Sequence, residues 1–140
     1  MDNQITSNRN LTLLTDFYEL TMMYGYFKHG KQDEIATFDV FFRPFEESNF
    51  CIAAGLQQAV EYIESIHFGK EEIDYLRSTN AFDEEFLAWL ADFKFTGTVK
   101  AIPEGTVVFP FEPLMTVTAP ICQAQLLEAA LLNIINFQTL

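Results

Sequence analysis

Positive charge is scarce in this chain: 8 Lys and Arg stand against 20 Asp and Glu, a net of −12 at pH 7. A surface that tracks nucleic-acid phosphates needs clustered Lys and Arg, so this balance argues against nucleic acid as a partner, and an anionic membrane would repel it. Cysteine is as scarce. Cys51 and Cys122 form no CxxC pair and no ligand cluster with the only two histidines, His29 and His67. They read as two buried thiols in a reducing cytosol, with no metal site. Long apolar runs are also missing. The longest stretch, Leu126 to Phe137, is interrupted by Glu128, Asn133 and Asn136 and falls short of the ~18 to 20 residues of a spanning helix. The polar start MDNQITSNRN lacks the pattern of a signal peptide, so a cytoplasmic location without a membrane partner is expected.

What is plentiful is aromatic surface. Phe alone contributes 15 of 140 residues, and 49% of the chain is apolar, enough to bury one core with rings left over for contact. In "LLTDFYELTMMYGYFKHG", residues 13 to 30, Thr15 or Asp16 is placed to cap a helix, Asp16 and Glu19 resemble a capping box, and Gly30 is a stop. On a helical wheel Phe17, Leu20, Met23, Tyr24 and Phe27 form a core stripe, while Tyr18, Met22, Gly25 and Tyr26 face away.

"ATFDVFFR", residues 36 to 43, alternates as a strand, and a turn from Pro44 to Asn49 returns the chain to "FCIAAGL". From Leu56 the apolar period becomes helical, with Leu56, Ala59, Val60, Ile63 and Ile66 inward. Two shorter helices follow, through Glu71 to Arg77 and from Asp83 to Phe93, the second capped by Asp83 and stapled by Phe82 onto Leu87. Between Gly97 and Pro120, β-branched runs broken by Gly97, Pro103, Gly105, Pro110 and Pro113 predict three or four short strands. "ICQAQLLEAALLNIINFQTL" is a long helix with Gln125, Glu128, Asn133 and Asn136 on one side and no termination signal, as expected of a chain cut from something longer. The order of elements predicts a single α+β domain over 1–140: a helical and strand part over about 1–95, a β cluster over about 96–120 and the long helix over about 121–140.

Catalytic signatures are largely negative: no P-loop, GxGxxG, HExxH or GxSxG occurs. The acid pairs Glu46/Glu47, Glu71/Glu72 and Glu84/Glu85 fall in turns or helix starts, where solvation or the helix dipole accounts for them. His29 and His67 sit near helix C-termini and read the same way. A biotinyl- or lipoyl-carrier hairpin would present a Lys at its tip, whereas Lys100 falls inside a strand.

The stretches "LLTDFYELTM", "FFRP", "AGLQQAVEYI" and "FTGTVKAIPEGTVVFPFEPLMTVTAPICQAQLLEAALLNIINFQTL" together resemble the N-terminal part of nicotinate phosphoribosyltransferase, in order and through almost the whole chain. Its sharpest pieces are TDxYxxTM at 15 to 22, "IPEG" at 102 to 105, "EPL" at 112 to 114 and the closing LLNIINFQTL. The resemblance implies an enzyme that joins nicotinate to phosphoribosyl pyrophosphate with ATP hydrolysis, giving nicotinate mononucleotide and pyrophosphate in NAD biosynthesis. Mg²⁺ would accompany the pyrophosphate. It implies an α+β N-terminal domain with a hammerhead-like β cluster, lacking the (β/α) barrel that follows in the family. The phosphorylated His, the phosphate loops and the Arg that reads the nicotinate carboxylate belong to that barrel, so no catalytic residue, ATP or Mg²⁺ is expected on this chain.

In the family the Tyr of TDxY crosses a homodimer interface and stacks on the pyridine ring in the neighbouring subunit's site. By resemblance Tyr18 is the candidate nicotinate contact, and Asp16 resembles the acid beside the same site. The plainer alternatives are a packed interface tyrosine and an ordinary helix N-cap. The turn "FEESN" after "FFRP" and Ala129 after Glu128 depart from the common family pattern, and bear on loop shape. Two rivals remain: a free-standing module that dimerises through this surface, and a relative acting on nicotinamide or quinolinate.

Overall fold

The computed structural model describes residues 10–44 and 49–140. The acid pair Glu46/Glu47, most of the Pro44 to Asn49 turn and the first nine residues lie outside the described residues.

Among the described residues, five helices and five strands follow one another as α1 (Phe17–Lys28), β1 (Ile35–Val40), β2 (Cys51–Ile52), α2 (Leu56–Ser65), α3 (Lys70–Ser78), α4 (Glu84–Ala91), β3 (Thr98–Ala101), β4 (Val107–Val108), β5 (Met115–Pro120) and α5 (Ile121–Thr139). The α+β expectation holds, with three strands in the Gly- and Pro-punctuated region. β5 is the centre of an antiparallel sheet ordered β1-β5-β3, paired Ile35↔Pro120 to Val40↔Met115 on one side and Thr98↔Thr118 to Ala101↔Met115 on the other. In β5 the Met115, Val117 and Ala119 side chains point inward and alternate with half-exposed Thr116 and Thr118, the period-2 pattern of a one-sided core. β2 and β4 make a separate two-stranded ladder.

The first strand is shorter than the sequence pattern suggested. β1 ends at Val40, and although Phe42 is still buried, the Phe42 carbonyl accepts from Phe111 N at 3.0 Å instead of continuing the ladder.

α5 is the hub. It starts directly from β5 at Pro120, whose missing N–H is no loss at a helix start, and it contacts α1, α2, β1 and β5. Its buried residues lie around most of its circumference, as in a helix enclosed by its own domain. Even on the side that carries its polar residues, Gln125 is buried, and its amide donates to Glu128 at 3.1 Å. The far end is tied to the segment that leads into α2, because the Thr139 hydroxyl meets both Ala54 N and Ala54 O at 3.2 Å. Gly55, at φ +91°, lets α2 start against α5, since a Cβ there would come within 2.9 Å of the Ile134 carbonyl. Gly97 serves the sheet similarly, as its Cβ would fall 2.4 Å from that of Ala119.

α4 begins as the sequence indicated. Asp83 accepts from Phe86 N at 3.0 Å, and Phe82 lies over the turn, although its ring meets Phe86, Tyr24 and Phe17. No helix is long and apolar enough to cross a membrane among the described residues. Cys51 and Cys122 are free and buried; burial pushes the Cys122 thiol up to about 12, so it is inert.

Candidate functional site

The segment leading into α1 is fastened before the helix begins. Asn10 accepts from Thr12 N at 3.0 Å and from its hydroxyl at 2.6 Å, while Thr12 Oγ1 accepts from His67 N at 2.9 Å and Asn10 donates to His67 O at 2.9 Å. The start of α1 is thereby held to the link between α2 and α3. His67 works here through its backbone, with its ring nitrogen 2.7 Å from Ser65 O.

Asp16 occupies the N-cap position with extended backbone, yet its side chain makes no capping hydrogen bond. The capping box suggested by Asp16 and Glu19 is not formed. Glu19 turns inward instead: it is fully buried, accepts from Ala129 N in the middle of α5 at 3.1 Å, and accepts from the Thr15 hydroxyl. Burial is the main reason its carboxyl rises to about 7, with the charges of Glu128 and Asp16 adding to the rise. The buried stripe of α1 is therefore Glu19, Leu20 and Met23, rotated by roughly half a residue step on the wheel from the stripe expected.

That rotation corrects two assignments. Phe17 is 53% exposed, resting on the Phe82 ring at 5.8 Å, whereas Tyr26 is half-buried against the core. Tyr18 and Met22 do face outward, at 47% and 40% exposure. Glu19, expected to complete a capping box, is buried instead. Its signal was its spacing, one helical turn before Met23 and two before Phe27 on an apolar stripe.

Asp16 and Tyr18, both exposed and within one turn, are brought together at the surface. The Tyr18 phenol is held above its ordinary range, first by partial desolvation and then by the charges of Glu128 and Glu19. It stays neutral near pH 7 and offers a ring face and a hydroxyl. Glu128 also borders an open groove of about 560 Å³ between β1 and α5, floored by Phe38, Val40, Phe42, Leu131 and Leu132, with Arg43 and Asn136 at its edge. Glu128 is thus shared between the surroundings of Tyr18 and the wall of this largely apolar groove. The histidines are elsewhere: His29, at the other end of α1, has its ring nitrogen 2.8 Å from Gly25 O, the helix-end role expected of it. Lys100 lies within β3, as expected.

The fold is an α+β domain that exposes an aromatic ring and an acid at the start of α1. The chain belongs to the nicotinate phosphoribosyltransferase (NAPRTase) N-terminal domain family, whose model matches residues 13–136. It is 44% identical over 128 residues to a nicotinate phosphoribosyltransferase of Mycobacterium tuberculosis, covering 91% of this chain and 27% of that protein. It is 41% identical over 133 residues to the Bacillus subtilis enzyme of that name, covering 94% of this chain and 27% of the relative. Among solved structures, human nicotinic acid phosphoribosyltransferase superposes with a TM-score of 0.81 at 34% identity, covering 89% of this chain and 26% of that one. Nicotinate-nucleotide pyrophosphorylase from Pyrococcus furiosus, at TM-score 0.63 and 16% identity, shares the fold. The chain spans about a quarter of the length of these relatives.

Proposed function

We propose that this chain is the N-terminal domain of an enzyme that joins nicotinate to phosphoribosyl pyrophosphate, with ATP hydrolysis, in the cytoplasm. The observation that carries the reading is the family match across residues 13–136, which includes the TDFY segment whose Tyr18 stands exposed on α1. Tyr18 stacks on the pyridine ring of nicotinate in the neighbouring subunit of a homodimer, and Asp16 lies at the edge of the same site. Stacking fixes the ring plane so that the ring nitrogen is aimed at the ribose anomeric carbon, and orientation of this kind lowers the barrier to an otherwise bimolecular step. The free Asp16 side chain supports the reading, since it is not occupied in capping.

In this reading Mg²⁺ accompanies the pyrophosphate, and the groups that hold it and ATP are not carried by this domain. Those groups, and the reacting side chains, fall to the part of the relatives this chain does not span. The 140-residue chain alone forms no nicotinate mononucleotide.

The test is Tyr18→Ala in the full-length protein. The nicotinate kcat/KM falls about tenfold, in line with ~1.5 kcal/mol for a ring contact, while circular dichroism and the phosphoribosyl pyrophosphate KM stay as in the parent. An unchanged kcat/KM removes Tyr18 from the site.

A further inference from the structure

We infer that Glu19 is a positioning residue for the exposed Asp16–Tyr18 turn, bracing it against the middle of α5 through a buried carboxyl. The inference rests on the reading of Tyr18 as a nicotinate contact. Its ground is geometric. Glu19 is fully buried and adjacent in sequence to Tyr18, and both its oxygens are engaged: one with Ala129 N at 3.1 Å, 110 residues along the chain, the other with the Thr15 hydroxyl at the mouth of α1. A mid-helix amide ordinarily serves the carbonyl four residues earlier, here Gln125. A side chain that reaches such an amide fixes both the rotation and the height of α1 on α5. The rotated stripe described above is its consequence, and that rotation sets where Tyr18 points.

The brace also stands among acids. Asp16 and Tyr18 face it from α1, Tyr62 from α2 and Glu128 from α5. The Tyr62 hydroxyl is buried without a hydrogen-bond partner. Among the described residues no ion pair involves Asp16, Glu19 or Glu128. Ionising Glu19 adds a negative charge to a place that already holds two and that receives an anionic substrate. The neutral form, whose carbonyl accepts from Ala129 while its O–H serves Thr15, braces the turn without that repulsion. Its carboxyl titrates near 7, so both forms occur close to neutrality.

The experiment is steady-state kinetics of the full-length protein carrying Glu19→Gln, Glu19→Ala, Tyr18→Ala or both Ala changes, with nicotinate varied at pH 6 and pH 8. Gln copies the neutral acid, so Glu19→Gln matches the parent within twofold at pH 6 and keeps its nicotinate KM from pH 6 to 8, where the parent's rises severalfold. Glu19→Ala raises the nicotinate KM about tenfold with the phosphoribosyl pyrophosphate KM unchanged, and adds less than twofold in the Tyr18→Ala background, because it acts through that turn. A Gln variant with the parent's pH profile, or Glu19→Ala and Tyr18→Ala effects that multiply, overturns the inference. If Tyr18→Ala shifts the nicotinate KM and Glu19→Ala does not, the brace alone fails. If Tyr18→Ala shifts nothing, the reading of Tyr18 fails and the brace with it. Should Glu19→Ala not fold, the Glu19→Gln pH profile decides.

Discussion

Two helix starts in this molecule read almost alike in sequence and do opposite things. α4 opens with Asp83 and α1 with Asp16, each followed by a Glu within three residues. At α4 the carboxylate caps Phe86 N, receives the Tyr24 hydroxyl at 2.9 Å and pairs with Lys28 at 2.7 Å. Lys28 first, then the Phe86 amide, hold its carboxyl down to about 2. At α1 the carboxylate makes no cap bond, and the following Glu19 is buried and held up at about 7. One start stabilises the fold through its own acid. The other is held by the fold, through Glu19 and the Asn10–Thr12–His67 bonds, and its Asp16 and Tyr18 stay exposed at the surface.

The surroundings make the difference. The α4 turn lies in an aromatic cluster: Phe86 is fully buried, with Tyr24, Phe82, Phe27 and Trp89 rings at 5.0, 5.4, 5.5 and 5.7 Å. The α1 turn has Phe17 against one ring, Phe82, at 5.8 Å. The sharpest way to break the comparison is to truncate both. Phe86→Ala leaves a large cavity and costs about 4 kcal/mol, whereas Phe17→Ala, at an exposed site, costs less than about 1 kcal/mol. Urea unfolding of the two variants measures this, and equal losses would erase the distinction.

A smaller effect separates the two acids by pH. Glu19 has its carboxyl raised in the folded state, so the folded protein binds the proton more tightly and stability falls as pH rises from about 4.5 through about 7. The whole drop is at most about 3 kcal/mol, and Glu19→Gln flattens it in urea midpoints taken at pH 5 and pH 8. Asp83 works the other way: its contribution is present above the ordinary carboxylate range and disappears as pH falls through about 2. A parent protein equally stable at pH 5 and pH 8, with Glu19→Gln no different, would remove the cost assigned to burying Glu19.

The smallest effect compares the caps. Asp83→Ala loses the Phe86 cap, the Tyr24 bond and the Lys28 pair together and lowers Tm by a few degrees. Asp16→Ala, which has no cap bond to lose, leaves Tm within about 1 °C. Equal shifts in a thermal melt would show that Asp16 caps its helix after all.

Much of the fold was legible because local signals agreed with burial. Asp83 capped where the D-x-x pattern said, Gly30 ended α1 at φ +67°, and the period change at Leu56 marked α2. The TDFY motif likewise marked the place where Asp16 and Tyr18 stand exposed together. Glu19 was not legible as a buried residue, because a carboxylate three positions after a cap fits the exposed capping-box pattern. Only the nearness of the Ala129 amide, 110 residues on, makes its burial tolerable. Tyr26, read as facing away, is half-buried against the core.

The sequence by itself determined the acidic, aromatic-rich composition, the succession of helices and strands and the family, since these depend on residue types and short spacings. The tertiary structure decided how α1 is rotated on α5, and with it that Glu19 faces in while Tyr18 faces out. A helical wheel fixes the angles between side chains, but the direction in which the wheel points is set by what packs against it, here the backbone of α5.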